Sequence, residues 1–339
     1  MCSSRSDESL YINLKDSLFL HMHVDDGFLI GKEESKIISF LTKLHSKLKL
    51  KYQKYPTHHL GYKLDWKNNN TLYLSQQDLI RQLLYNNDMD SSRNVKTPCN
   101  GNILKEVDEP GEPIMTTEYQ QAIGSLNYLV QHSRPDIMYT VNVLSRFSTR
   151  PNLKHWTALK HLMRYLEGTL NLSLVYSKMD HYQLSPLIGW ADTDYANDRL
   201  EQKSISGNVV SLFGNPISWL SKKQSVVAQS TTEAEFISLN ICAKQIQWLS
   251  FLVNDLRITI TRPVIFNDNS GAVIISNQAC LNPNTKHIEI RYQYVRNLMM
   301  KKLVDVKQVG TNEMIADVLT KPLGIQAMGR VYEMLGLKG

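Results

Sequence analysis

The chain has 339 residues, 42% hydrophobic and 21% charged, and Lys+Arg 38 against Asp+Glu 32 gives a net charge of +6. That length has room for about two domains with real cores, and a mild basic excess is compatible with a phosphate-backbone partner. Cys2, Cys99, Cys242 and Cys280 lie far apart with no CxxC spacing or His pairing, which excludes a structural zinc module and fits a reduced, intracellular chain. The N-terminus MCSSRSDESL is too polar for a signal segment, and no apolar run reads as long enough to span a bilayer, so a soluble protein without a membrane partner is expected.

In chain order, SLFLHMHVDDGFLIG (17–31) reads as two apolar strands joined at Asp25-Asp26-Gly27, because Asp-Gly between apolar runs favours a hairpin. An amphipathic helix over 33–50, short strands near 60–65 and 71–74, and a helix from Ser75 to Asn87 follow. The Pro-, Gly- and acid-rich stretch 98–117 reads as a linker. Helical periodicity returns over 118–131, 135–147 and 152–167, broken at Arg134-Pro135 and Arg150-Pro151. From about 185 the pattern changes to strands at 186–191, 207–213 and 216–220. A long helix (231–254), a strand (264–267), a short helix, a strand (303–309) and a final helical stretch (312–338) complete the chain. Three strands followed by alternating helix and strand suggest a mixed sheet with helices on its faces.

Four carboxylates end apolar segments: Asp192 in LIGWADTDYA, Glu235 in STTEAEFISL, Asp268 in PVIFNDNSGA and Asp317 in TNEMIADVLT. Desolvating an unpaired charge is costly, so four such placements point to a divalent metal and phosphoryl chemistry on a nucleic acid. Glu235 shares the inward stripe of Leu239, Cys242, Ile246 and Leu249, while Ser230 and Glu233 match the helix-capping motif. Asp268 alone is equally compatible with capping the next helix, Asp192 with turn chemistry shared with Asp194, and Asp317 with an ordinary helical Asp.

The set of four resembles the ribonuclease H fold, in which a strand-end Asp, a helical Glu, a second strand-end Asp and a late helical Asp converge on two metal ions. The resemblance implies Mg²⁺, with Mn²⁺ able to substitute, bridged by Asp192 and completed by Glu235, Asp268 and Asp317. One departure is the loop Lys307-Gln308-Val309-Gly310-Thr311-Asn312, which lacks the His that many ribonucleases H carry. His287 is the nearest in sequence and reads better as a packed residue.

The runs GSLNYLVQHSRPDIMYTVNVLSRF (124–147), HWTALKHLMRYLEGT (155–169), KSISGNVVSLFGNPISWLSKKQSVVAQSTTEAEF (203–236), TKHIEIRYQYVR (285–296) and ADVLTKPL (316–323) are similar to the Pol polyprotein of copia-type LTR retrotransposons. The resemblance covers nearly all of the chain. It implies an α+β and α/β organisation: the C-terminal end of a reverse-transcriptase palm over 1–97, a linker with helical thumb and connection over 98–180, and a ribonuclease H-like domain over 181–339. His23-Val24-Asp25-Asp26 then resembles the polymerase box YVDD, making Asp25 and Asp26 vestigial metal ligands. Only 24 residues precede Asp25, and neither Asp7 nor Asp16 sits where a third palm carboxylate belongs, so the polymerase portion is expected to be truncated and inactive.

The implied substrate is an RNA–DNA heteroduplex, bound through phosphates and recognised by its 2′-hydroxyls. Lys222, Lys223, Lys286, Arg291 and Arg296 are its candidate contacts. Arg134, Arg146, Lys160 and Arg164 are candidates for a thumb-like track, and Ser206 and Asn269 for sugar contacts. Other Pol or Gag products of the same element are implied partners; the cytoplasm, within a virus-like particle for an active element, is the implied location, and the nucleus the second. The competing reading is a non-catalytic relic that at most binds nucleic acid. An integrase-like nuclease is disfavoured by the lack of an HHCC module or DDE spacing.

Overall fold

The computed structural model describes residues 1–68, 70–101, 103, 107, 110–178, 185–198, 201–277 and 289–339. Its N-terminal sheet is antiparallel, β1 (Cys2–Ser3), β2 (Leu10–Asn13), β3 (Leu18–His23) and β4 (Asp26–Gly31) in sequential order. His23 pairs with Asp26, so the turn lies at Val24-Asp25 and Asp26-Gly27 opens β4. A turn centred on Asp26-Gly27 would set Leu20 opposite Glu33, whereas the observed register sets it opposite Leu29 and pairs apolar with apolar side chains. Helix α1 (Glu34–His45) follows and buries none of its residues.

Next come β5 (His58–His59), β6 (Tyr62–Asn68) and β7 (Thr71–Ser75), then α2 (Gln77–Asn86) and α3 (Thr116–His132). Ile103 and Val107, in the stretch expected to be a linker, are buried in the core. After a 3-10 turn at Pro135–Ile137, α4 (Met138–Ser145) and α5 (Leu153–Gly168) lead to β8 (Ser173–Ser177), a strand the periodicity did not reveal. Its five residues are too few for a repeat, and its partner β7 lies about a hundred residues upstream.

The C-terminal part holds β9 (Leu187–Asp194), β10 (Ile205–Leu212), β11 (Asn215–Lys223), α6 (Thr231–Asp255), β12 (Val264–Asn267), α7 (Ser270–Asn277), α8 (Glu289–Met300) and β13 (Asp305–Gln308). Two helices thus replace the single short one expected there. The expected final helix is broken into 3-10 turns at Thr311–Glu313 and Ile315–Leu319, α9 (Ile325–Met334) and β14 (Leu337–Lys338). Pro322 accounts for the break, since proline has no N–H to continue a helix.

One five-stranded sheet has the order β11-β10-β9-β12-β13, antiparallel among β9, β10 and β11 and parallel from β9 through β12 to β13. This mixed sheet flanked by helices is the architecture that the resemblance to the ribonuclease H fold implies. Alternation along its strands serves two cores. Leu187, Ala191 and Val210 pack with Phe236, Leu239, Cys242 and Ile246 of α6. Ile205 and Val209 share the opposite core with Leu126, Ile137, Val141, Leu159 and Leu319. The other five-stranded sheet, β14-β8-β7-β6-β5, draws strands from 58–75, 173–177 and 337–338, so the three expected segments share one sheet. By length and composition α6 could cross a membrane, contrary to the reading that no run is long enough, but its apolar face is buried against the sheet.

Candidate metal centre

Parallel pairing of β9 and β12 sets Phe266 opposite Trp190, so Asp192 and Asp268, each two residues on, leave the sheet at the same end. Glu235 arrives from the start of α6. Ser230 caps that helix by accepting from the Glu233 N–H at 3.1 Å, and the Glu233 carboxylate accepts from the Gln229 N–H at 2.7 Å, so Glu235 has no capping duty. Asn269 accepts from the Ala272 N–H at 2.9 Å at the start of α7, which likewise relieves Asp268. Asp194 takes up the local turn bond, from Asn197. Gly189 admits α6, because an added Cβ would lie 2.5 Å from Cys242 Sγ.

One carboxylate oxygen from each of Asp192, Glu235 and Asp268 lies within 4.8 Å of the other two. Asp192 is 4% and Glu235 7% exposed, and Asp268 is half-buried. Burial, followed by the charge of Asp317, pushes the Asp192 carboxyl up to about 7. Burial and the neighbouring Asp192 push Glu235 up to about 9, against the opposing hydrogen bond from Asn267. Burial and the mutual repulsion of crowded carboxylates disfavour their charged forms, and the charge of Lys321 offsets this only in part at Asp192, while an all-oxygen donor set suits a hard divalent cation. The residues present therefore fit a metal.

Asp317 stands beside the three, in the Ile315–Leu319 turn. Its Oδ1 pairs with Lys321 Nζ at 2.9 Å, and its charge is felt by Asp192. The Lys321 ammonium is held above its ordinary range: burial opposes this, but the hydrogen bond to Asp317 and the charges of Asp192, Asp317 and Asp194 outweigh it. Thr320, fully buried, donates its Oγ1 hydroxyl to Asp192 Oδ2 at 2.6 Å. Asn267 donates Nδ2 to Glu235 Oε2 at 2.9 Å. Thr311 donates to Asp268 Oδ2 at 3.2 Å from the loop that lacks a His. Asn267, Thr320 and Lys321 were not singled out from the sequence, although each lies within four positions of a candidate carboxylate.

Among the expected nucleic-acid contacts, Lys222 is exposed, while Lys223 pairs with Asp198 at 3.2 Å and Glu201 at 3.0 Å. Arg296 is a correction: it is buried and donates Nε to Ile275 O at 3.0 Å, which takes that edge away from a phosphate. Arg134 is another, since it is 1% exposed and clamped to Asp136 at 2.8 Å rather than lying on a thumb surface. Ser206 is buried with Gln224 donating to its hydroxyl at 2.9 Å, which closes it to a sugar. Arg146 pairs with Asp198 at 2.9 Å. Lys286 and His287 lie outside the described residues, as does the side chain of Arg291, whose backbone is in α8. Asp25 and Asp26 are exposed on the hairpin; among the described residues, the convergent group of three or more His, Cys, Asp or Glu is the one at Asp192.

No family model matches the chain. It is 34% identical over 99% of its length to the retrovirus-related Pol polyprotein of transposon RE1 from Arabidopsis thaliana, covering 23% of that protein. The corresponding polyprotein of transposon TNT 1-94 from Nicotiana tabacum is 32% identical over 94% of the chain, which covers 24% of it. The chain thus spans about a quarter of these relatives. A putative transposon Ty5-1 protein of Saccharomyces cerevisiae is 30% identical over 70% of the chain and is itself 77% covered. Among solved structures, LC11-RNase H1 in complex with an RNA/DNA hybrid aligns with 40% of the chain at 13% identity and a TM-score of 0.31, with 93% of that protein covered. The foamy viral protease-reverse transcriptase in complex with dsDNA aligns with 88% at 14% identity and a TM-score of 0.46, with 56% of it covered.

Proposed function

Because this chain belongs to the family of retrovirus-related Pol polyproteins, we propose that its carboxylate centre is that of a metal-dependent endonuclease cutting the RNA strand of RNA–DNA hybrids. The observation that carries the reading is the convergence of Asp192, Glu235 and Asp268 within 4.8 Å. Two Mg²⁺ ions, or Mn²⁺, held by these residues and Asp317 would activate a water and stabilise the leaving 3′-oxygen of an in-line displacement. The chain's own residues prepare the centre. Thr320 and Asn267 orient Asp192 and Glu235 through the bonds at 2.6 and 2.9 Å. Lys321 neutralises Asp317, and burial of Asp192 and Glu235 excludes water that would screen their charge.

Lys222, with Lys286 and Arg291, is proposed to meet the hybrid's phosphates. The copia-type ancestry, the division at 97/98 and 180/181, other Pol or Gag products as partners and a cytoplasmic location are proposals of the same reading. So is the absence of polymerase activity, which the exposed Asp25 and Asp26 support in that no third carboxylate joins them among the described residues.

The test is incubation of the full chain with end-labelled RNA–DNA hybrid in Mg²⁺ and in Mn²⁺, beside Asp268→Asn. Cutting of the RNA strand by the wild type that falls about a hundredfold or more in the variant is expected, the scale of losing a group essential to the transition state. Intact RNA after incubation with folded, metal-binding wild type would replace this reading with that of a nucleic-acid-binding relic.

A further inference from the structure

Asn267 is the last residue of β12 and is completely buried. Its Nδ2 donates to Ala191 O at 2.8 Å and to Glu235 Oε2 at 2.9 Å, and its Oδ1 accepts from the Asn269 N–H at 3.0 Å. Ala191 immediately precedes Asp192, Asn269 immediately follows Asp268, and Glu235 is the third carboxylate. A single planar carboxamide therefore touches all three elements that supply the cluster. The directions of its two N–H bonds and its acceptor lone pairs are fixed relative to one another. A shift of β9, α6 or the β12–α7 turn breaks one of the three bonds. Inside a buried site an unmade bond of this kind costs the full desolvation of the orphaned group.

We propose that Asn267 is the positioning residue of the carboxylate centre, setting Glu235 against Asp192 and Asp268 so that the three oxygens converge before any cation arrives. This assignment rests on the nuclease reading given above. The residue does not touch the reacting phosphate; it acts through Glu235 and through the backbone beside Asp192 and Asp268. Asn267→Asp keeps the size but puts an acceptor against Ala191 O and a charge against Glu235. Asn267→Ser keeps a small polar group that cannot span the three partners.

Three measurements test it on the full chain: the midpoint of stabilisation by Mn²⁺ or Mg²⁺ in thermal melts, kcat and KM for hybrid cleavage, and hybrid affinity in Ca²⁺. For Asn267→Ser the metal midpoint is expected to rise about tenfold and kcat to fall about tenfold to a hundredfold, the scale seen when partners of metal ligands are lost. KM and hybrid affinity should stay within about threefold, because the phosphate contacts lie elsewhere. Asn267→Asp should be worse in the same direction. A folded Asn267→Ser with wild-type metal midpoint and kcat would overturn the proposal. So would loss of folding in both variants, which would make Asn267 a residue of the fold alone. Wild type that neither cleaves the hybrid nor gains stability from metal would instead remove the nuclease reading, and this assignment with it.

Discussion

The hydroxyls of Tyr165 and Tyr332 meet at 2.5 Å, although 167 residues separate them. Tyr165 donates to Asp136 Oδ2 at 2.7 Å, which leaves its oxygen to accept from Tyr332. Asp136 also holds Arg134 through bonds of 2.9 and 2.8 Å. The C-terminal helix α9 is thereby anchored in the helical segment, and β14 continues the attachment by pairing with β8. Excising 181–339 would strip β14 of its partner and uncover Ile205, Val209 and Leu319. The isolated 181–339 segment is therefore expected to lack the cooperative melt of the full chain by circular dichroism, and an unchanged sharp transition would show that the segment stands alone.

Removing Asp136 would leave the Arg134 guanidinium buried without its counter-ion. Breaking a buried pair on one side costs about 3–5 kcal/mol, so Asp136→Ala should lower stability by that order in urea titrations. A loss under about 1 kcal/mol would mean that water or another group reaches Arg134.

Gly207 lies on β10 where an added Cβ would stand 2.6 Å from Thr320 Cγ2, 2.8 Å from Ala316 O and 2.9 Å from Leu319 Cβ. Gly207→Ala must push away the turn that bears Asp317 and Thr320, at an overpacking cost of about 1–3 kcal/mol. Hybrid cleavage should fall more than stability accounts for, since Thr320 bonds Asp192. Wild-type kcat with a lowered Tm would separate packing from positioning.

Asp192 and Glu235 are both raised by burial and by neighbouring carboxylates, so the folded, metal-free protein retains protons that the unfolded chain releases near pH 4. Their contribution is fully present below that pH and is lost as pH rises through about 7 and then about 9. Without metal, Tm should fall between pH 6 and pH 9. The rise in Tm produced by Mg²⁺ should grow over the same interval, because the ligands bind a cation only when deprotonated. A metal-free Tm that climbs across this window would contradict the assignment.

Lys321→Met takes a positive charge from beside Asp317 without shortening the side chain much. The half-exposed pair should be worth about 1 kcal/mol or less in the metal-free protein. The more negative centre should bind Mn²⁺ about threefold or more tightly, since the attraction between cation and carboxylates is no longer offset. Isothermal titration of wild type and variant would read both affinity and the number of ions held; equal affinities would place Lys321 outside the field of the centre.

The boundaries legible in the chain were those set by local rules. The strand 264–267 and the long helix at 231 are where periodicity placed them, and Leu239, Cys242, Ile246 and Leu249 are all buried as the stripe required. Strand β8 was not legible because pairing with β7 and β14 creates it. The hairpin turn was displaced from Asp26-Gly27 because cross-strand pairing of Leu20 with Leu29 outweighed the turn residues' own preference.

The same division holds at the centre. Asp192, Glu235 and Asp268 stood out in the sequence as a set, since several unpaired carboxylates ending apolar segments are costly to desolvate together. Asp192 or Asp268 alone fits a turn or a cap; the convergence of the three is what the fold adds. Which cations are exposed, and which side chains hold the acids, depended on packing across distant segments. Arg134 and Arg296 are internal because Asp136 and Ile275 O satisfy them there. Asn267 and Thr320 orient Glu235 and Asp192 because α6 and the Ile315–Leu319 turn close over the sheet end. Charge and periodicity are properties of neighbours along the chain; hydrogen-bond partners 32 and 128 residues away are created only when the chain folds.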